Sequence, residues 1–319
     1  MKKYLEDLKT ALNESKRFTE AEIKDILADH EEMINEALHS GLAEADIESK
    51  FGNPRKVAAD LTESCGSRHA KESKREDDAP VFAQVPPNGT VHLTFKLPSE
   101  DVTITAEARD DVAVFVEGDA PADRYEIGFF GNEFVIRPKK NEFRGWFRRG
   151  TLSFDVRIPG RMTVGDVVFQ QASGDYKIDG VKAGKLKINT ASGDGEIVDG
   201  SIDLIDIASV NGDLRMERLI IGTVSISQVS GDLSIEHTVC EGDLEIGSTS
   251  GDVEILDTTC ANATFHTVSG DLEGTEFYPV TLRFNSVSGD VNIENTDRTR
   301  TIQVKTSNSI SGTIHISEK

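Results

Sequence analysis

Between Leu186 and Ile293 apolar residues fall in pairs spaced i, i+2, and the pairs return at a fixed interval. One set reads Leu186/Ile188, Ile205/Ile207, Val224/Ile226, Leu244/Ile246 and Leu282/Phe284; a second reads Leu214/Met216, Leu233/Ile235, Val253/Ile255 and Val291/Ile293. A spacing of two puts side chains on one face of a strand, so each interval supplies two short strands with one buried face. Between the two pairs stands a recurring phrase. It runs Ser173-Gly174-Asp175, Ser192-Gly193-Asp194, Asn211-Gly212-Asp213, Ser230-Gly231-Asp232, Ser250-Gly251-Asp252, Ser269-Gly270-Asp271 and Ser288-Gly289-Asp290, then fades to Ser311-Gly312-Thr313. Successive aspartates lie 19, 19, 19, 20, 19 and 19 residues apart, with a last step of 23 to Thr313. Apolar or small residues three before the aspartate, such as Val210, Val229, Val268 and Val287, complete the apolar frame.

A single coil cannot bury its own inner face, and stacked neighbours can. The pattern therefore predicts a mainly β protein: over residues 151–319, a parallel β-solenoid of roughly eight coils, about 19 residues each, stacked ~4.8 Å apart. Upstream, Val91/Leu93/Phe95, Val102/Ile104, Val112/Val114/Val116, Phe134/Ile136 and Leu152/Phe154/Val156 alternate as strands. The first four lie in residues 81–150, which lack the phrase and are expected to form an atypical β cap over one end of the stack. Residues 63–80 hold almost nothing to bury and read as a flexible linker containing Cys65.

Residues 1–62 carry a helical pattern. Leu5, Leu8 and Leu12 mark a first helix. Thr19 and Glu22 form a capping box before a stripe that runs from Ile23 to Leu38 and includes His30, read as a packed histidine. Gly41 stops that helix, Ala45 to Phe51 forms a short third, and Asn53-Pro54 opens a fourth with Pro54 at its first position. The motif Phe51-Gly52-Asn53-Pro54-Arg55-Lys56-Val57-Ala58, behind an acidic helix ending in glycine, resembles the HAAS domain. That is a helical signalling module of bacterial proteins often encoded beside PadR-type transcription regulators. The resemblance implies a signalling partner for residues 1–62.

A second resemblance begins at Leu152-Ser153-Phe154-Asp155-Val156-Arg157-Ile158-Pro159-Gly160 and continues through the Ser-Gly-Asp repeats. Residues 85 to 319 are similar to the bacterial putative-adhesin domain family, regarded as β-helical. Some of its relatives belong to Lia-type envelope-stress systems of Gram-positive bacteria.

The net charge of -21 argues against nucleic acid as a partner, because a phosphate backbone demands a basic face. No run reaches the roughly 18–20 apolar residues of a membrane span. Residues 1–12 place Glu6, Asp7 and Lys9 where a secretory signal would have its apolar core, so the expected compartment is the cytoplasm. The three cysteines fit a reducing environment. Cys240 and Cys260 share one repeat phase and are expected to stack on adjacent coils as inward-facing free thiols, a disulfide between them being the sterically conceivable alternative.

Candidate chemistry is sparse. Asp175, Asp194, Asp213, Asp232, Asp252, Asp271 and Asp290 would form one ladder along a corner. Such a line of carboxylates is a weak candidate for a divalent ion, but each coil offers a single aspartate beside one serine. The stronger reading gives glycine an unusual backbone angle and lets Ser and Asp hydrogen-bond corner amides. The acids follow the repeat, where an active site would break it, and no Cys-x-x-Cys motif, Walker loop or dinucleotide fingerprint occurs. A non-enzyme without cofactor is expected.

One segment breaks composition: Arg137, Lys139, Lys140, Arg144, Arg148 and Arg149 stand against the single acid Glu142, interleaved with Phe143, Trp146 and Phe147. Three readings stand for it: an anionic membrane surface, an acidic protein partner, or a hairpin whose aromatics pack on the cap. Together with the two resemblances, this gives a regulatory or sensing binding protein of an envelope-stress system, peripheral to the inner face of the membrane. The alternative is a surface adhesin or display protein, exported unconventionally, that binds carbohydrate or protein.

Overall fold

The computed structural model describes residues 2–15, 27, 34, 54–56, 79–118, 121–139 and 152–318. The chain divides into two compact units, Met1–Asp78 and Ala79–Lys319.

In the first unit, α1 spans Lys2–Ser15 and buries Tyr4, Leu8 and Leu12, a stripe at i, i+4 and i+8. Ile34 is buried and helical, as expected for the second apolar stripe. Pro54 to Lys56 are helical, in agreement with a helix that opens on Pro54. His30, Cys65 and the rest of the expected helices lie outside the described residues. No helix among the described residues is long and apolar enough to cross a membrane.

The second unit is a parallel β-solenoid. Each coil pairs a longer strand with a shorter one across the Gly-Asp corner. The lower coils are β8 (Val164–Gln171) with β9 (Tyr176–Asp179), β10 (Lys182–Thr190) with β11 (Gly195–Val198), and β12 (Ser201–Ser209) with β13 (Leu214–Glu217). Above them β14 (Ile220–Gln228) and β15 (Leu233–Glu236) repeat the arrangement. The stack continues through β16 (Val239–Cys240), β17 (Asp243–Ser250), β18 (Val253–Ser269) and β19 (Leu272–Ser288), the last two running from one coil into the next. It ends at β20 (Val291–Asn295), β21 (Gln303–Ser311) and β22 (Ile314–Glu318).

The register is the repeat itself. Leu186 pairs with Ile205, Ile205 with Val224, and Val224 with Leu244; Ile188, Ile207, Ile226, Ile246, Phe265 and Phe284 form the neighbouring column. Both columns are buried, as are Leu214/Met216, Leu233/Ile235, Val253/Ile255 and Val291/Ile293. Each such side chain contributes roughly 2 kcal/mol of transfer free energy. Every coil therefore stabilises its neighbours more than itself.

The lower end is built differently. The coil of β2 (Val91–Leu97) and β3 (Asp101–Glu107) lies beneath β8 and β9, and beneath it lie β6 (Glu133–Pro138) and β7 (Leu152–Pro159), still parallel. The chain lays down β2 and β3 first, then passes below them before returning above. Antiparallel strands close that end: β5 (Tyr125–Phe130) on β6, β4 (Val112–Gly118) on β7, and the three-residue β1 (Phe82–Gln84) on β4. A short antiparallel edge presents little template for further pairing. Aromatic rings fill this end, with Phe95 stacked on Phe169 at 4.7 Å and Phe134 in edge contact with Phe129 at 5.3 Å.

One expectation fails. Val210, Val229, Val268 and Val287 are not part of the core but stand 45–49% exposed. At the corner the alternation is offset by a polar residue that turns inward just before each valine. Before Val210, Ser209 Oγ donates to the Asn211 carbonyl at 3.3 Å, and before Val229, Gln228 Nε2 donates to the carbonyls of Gly212 and Ser230 at 2.7 and 3.2 Å. With that position occupied from within, the next residue faces solvent.

Candidate functional site

Three features are candidates: the aspartate ladder, the basic segment and a charged column on the opposite corner.

Along the ladder each carboxylate reaches its neighbour in the next coil. Asp101 Oδ1 accepts the amide of Asp175 at 2.9 Å, and the same bond joins Asp175 to Asp194, Asp194 to Asp213, Asp213 to Asp232, Asp232 to Asp252, Asp252 to Asp271 and Asp271 to Asp290 at 2.8–2.9 Å. Asp290 ends the series on the amide and hydroxyl of Thr313, and these bonds hold its carboxyl below the usual carboxylate range. The glycine before each aspartate from Asp175 to Asp271 is fixed by two constraints. Gly212 adopts φ +118, and a Cβ there would collide with the carbonyl of Gly193 in the coil below. Ladder residues with Arg215, Glu254 and Glu273 line a shallow groove of about 540 Å³. Among the described residues no three His, Cys, Asp or Glu side chains converge as a metal-binding group.

The basic segment enters and leaves on known strands. Ile136 and Phe169 both pair with Phe95, while Ser153 pairs with Asp101, which in turn matches Asp175. Thirteen residues, 139–151, thus stand where each repeat coil has two. β6 ends and β7 begins on the same edge as the ladder, at its capped end. Arg137 is committed to the fold: its Nε donates to Glu126 Oε2 at 2.6 Å, and its guanidinium lies 5.6 Å from the Phe130 ring. Lys139 Nζ donates to the Asp123 carbonyl at 2.7 Å. Lys140, Phe143, Arg144, Trp146, Phe147, Arg148 and Arg149 lie outside the described residues.

The third feature carries no recurring phrase. Five residues past each aspartate, the chain turns through a left-handed residue: Gly180, Asp199, Arg218, His237, Asp257 and Glu276. Stacked at one coil spacing, Arg218 pairs with Asp199 and His237 with Asp257, whereas Asp257 and Glu276 are like charges on neighbouring coils. Arg218 grips Asp199 through Nε and Nη2 at 2.7 and 2.8 Å, lowering the Asp199 pKa, and His237 Nδ1 lies 3.1 Å from Asp257. Glu276 accepts a short hydrogen bond from the Tyr278 hydroxyl, which holds its carboxyl low. The only sequence signal was the shared phase of these residues, since Asp and His tolerate a left-handed backbone better than most side chains.

Cys240 and Cys260 are buried free thiols on adjacent coils, as expected from their phase. Burial pushes the Cys260 thiol up to about 12, and burial also raises that of Cys240.

The chain belongs to the Toastrack DUF4097 family, whose model matches residues 147–280 and 218–319. Residues 3–60 match the HAAS family. No curated protein matches the chain. Among solved structures, a "putative lipid binding protein" from Parabacteroides distasonis ATCC 8503 is 16% identical, with 75% of this chain and 94% of that chain covered at a TM-score of 0.49. A "putative adhesin" from Parabacteroides merdae ATCC 43184 is 12% identical, covering 75% and 95% at 0.49. Another from Bacteroides fragilis NCTC 9343 is 15% identical, covering 73% and 94% at 0.40.

Proposed function

We propose that this protein is a non-enzymatic regulatory or sensing component of a bacterial envelope-stress system. It docks on the cytoplasmic face of the membrane through residues 139–151, while its HAAS unit engages a signalling protein. One observation carries the membrane contact. A corner of two residues is expanded to thirteen in a single terminal layer, and the insert reverses the sign of a strongly acidic chain. Departures from a repeat are where function is expected.

Arg137 and Lys139 brace the segment against Glu126 and the Asp123 carbonyl, leaving Lys140, Arg144, Arg148 and Arg149 against Glu142. Each basic residue near an anionic bilayer contributes about 1 kcal/mol, so four give roughly millimolar binding before aromatic insertion adds to it. Phe143, Trp146 and Phe147 supply that insertion. The non-enzymatic reading rests on acids that keep the repeat phase and are spent on inter-coil amides and ion pairs.

The test is co-sedimentation with anionic and with neutral vesicles at low and high salt, beside a variant carrying R144S, W146S, R148S and R149S. Salt-sensitive binding to anionic vesicles that the variant loses is the expected result. Equal sedimentation of the two proteins would sink the membrane contact and direct attention to acidic protein partners.

A further inference from the structure

The valines that leave the core lie in a surface strip unlike the rest of the molecule. Four consecutive positions before the Gly-Asp corner recur eight times: 170–173, 189–192, 208–211, 227–230, 247–250, 266–269, 285–288 and 308–311. These 32 positions hold no Asp, Glu, Lys or Arg, in a chain whose residues are 29% charged. Their outward columns are Gln170, Ala208, Ser227, Gly247, His266 and asparagines on one side and serines with Asn211 on the other, with Ala172, Ala191, Val210, Val229, Thr249, Val268, Val287 and Ile310 between them. Ile310 is 84% exposed. A groove of about 690 Å³ runs along this ridge, which forms one of its walls through Val229, Thr249, Val268 and Val287, with Ser227, Gly247, His266 and Asn285 on the other side.

We propose that the strip is the contact by which two copies of this chain pair side by side, antiparallel, about a two-fold axis perpendicular to the solenoids. Ridge and groove run next to each other along the stack, so a two-fold operation seats the ridge of each copy in the groove of the other. The axial repeat of ~4.8 Å matches at every coil, because the partner has the same repeat. Charge exclusion selects the same occupant. Two chains of net charge -21 repel over most of their surfaces, and this strip is where they can approach without opposing like charges. The contact is small. Its ~35 Å length and ~10 Å width place it below the roughly 800 Å² per partner of a standard interface. The dimer is therefore weak, with a dissociation constant on the order of 10–100 µM.

Salt separates this contact from the basic segment. Screening relieves repulsion between the acidic flanks, so pairing strengthens as salt rises, whereas docking on anionic lipid weakens. The experiment is sedimentation velocity on the full chain from roughly 5 to 500 µM, spanning the expected dissociation constant, at low and high salt. It includes the variant V229D/V268D and the milder V229T/V268T/V287T, which copies the threonine already present at 249. Far-UV circular dichroism and melting confirm that the variants fold. The expected result is concentration-dependent dimerisation that tightens with salt, weakens at least tenfold in the threonine variant and disappears in the aspartate variant. A wild-type chain monomeric throughout would overturn the proposal. So would association that both variants retain or that falls with salt.

Discussion

The Asp213 carboxylate accepts the amide of Asp232, one coil further along, at 2.8 Å. The carboxylate oxygen, not the negative charge, makes this bond, and the charge itself opposes its neighbours. Carboxylates one coil apart repel by roughly 1 kcal/mol in water, less with added salt. Asp213→Asn keeps the acceptor and removes one charge, so its melting temperature should equal or exceed the wild type at low salt. Asp213→Ala leaves the amide without its partner and should cost about 1 kcal/mol, or a few degrees. Thermal melts of the pair decide it: asparagine as damaging as alanine would mean that charge holds the ladder.

The corner glycines carry a sharper constraint. Gly212→Ala forces a side chain into φ +118 and against the Gly193 carbonyl, and should destabilise by about 3 kcal/mol or more. Gly247 is the control, since a Cβ there would lie 3.9 Å from the Ile226 carbonyl in ordinary contact. Gly247→Ala should unfold at the wild-type urea midpoint. Equal losses in the two variants would refute the close-approach argument.

Much of this was legible in the sequence because the solenoid repeats its own evidence. The i, i+2 pairs and the aspartate phase specify strand, register and coil length at every turn. The corner was less legible. Val229 and Ile226 are alike in composition, and only the inward turn of Gln228 onto two carbonyls sends one to solvent and the other to the core. The column from Asp199 to Glu276 was hidden because its residues share a backbone conformation and not a side-chain type. The basic segment was conspicuous by composition, yet that the strands on either side of it meet the ladder edge came only from the pairings of β6 and β7. The passage of β6 and β7 below β2 and β3 had no sequence signal, because strand order is a tertiary property.

Acid should loosen the top of the ladder. The Asp290 carboxyl is held below its ordinary value by the Thr313 amide and hydroxyl. A depressed folded pKa means that the stabilisation is fully present above the unfolded value of about 3.9 and is lost as pH falls through the lower folded value. The Thr313 amide proton shift should therefore titrate with a midpoint below ~3.9. Asp290→Asn should abolish that titration. A midpoint at or above the ordinary carboxylate value would show that the bond does not form in solution.

Cys240 and Cys260 test the interior from another side. Both face inward on adjacent coils, and Sγ of Cys240 lies 3.5 Å from the Asp243 carbonyl, a weak hydrogen bond that favours the protonated thiol. With its pKa pushed up to about 12 by burial, Cys260 stays protonated at pH 8, and thiolate is the species that reacts. Reaction also requires access, which burial denies to both groups. A thiol reagent at pH 8 should label at most one of the three cysteines of the native chain quickly, and all three in denaturant. The two silent thiols should become reactive along the same urea curve that reports loss of strand signal, because exposing them requires separating the coils. Rapid labelling of three thiols in the native protein would remove Cys240 and Cys260 from the core, and with them the stacking of the coils they join.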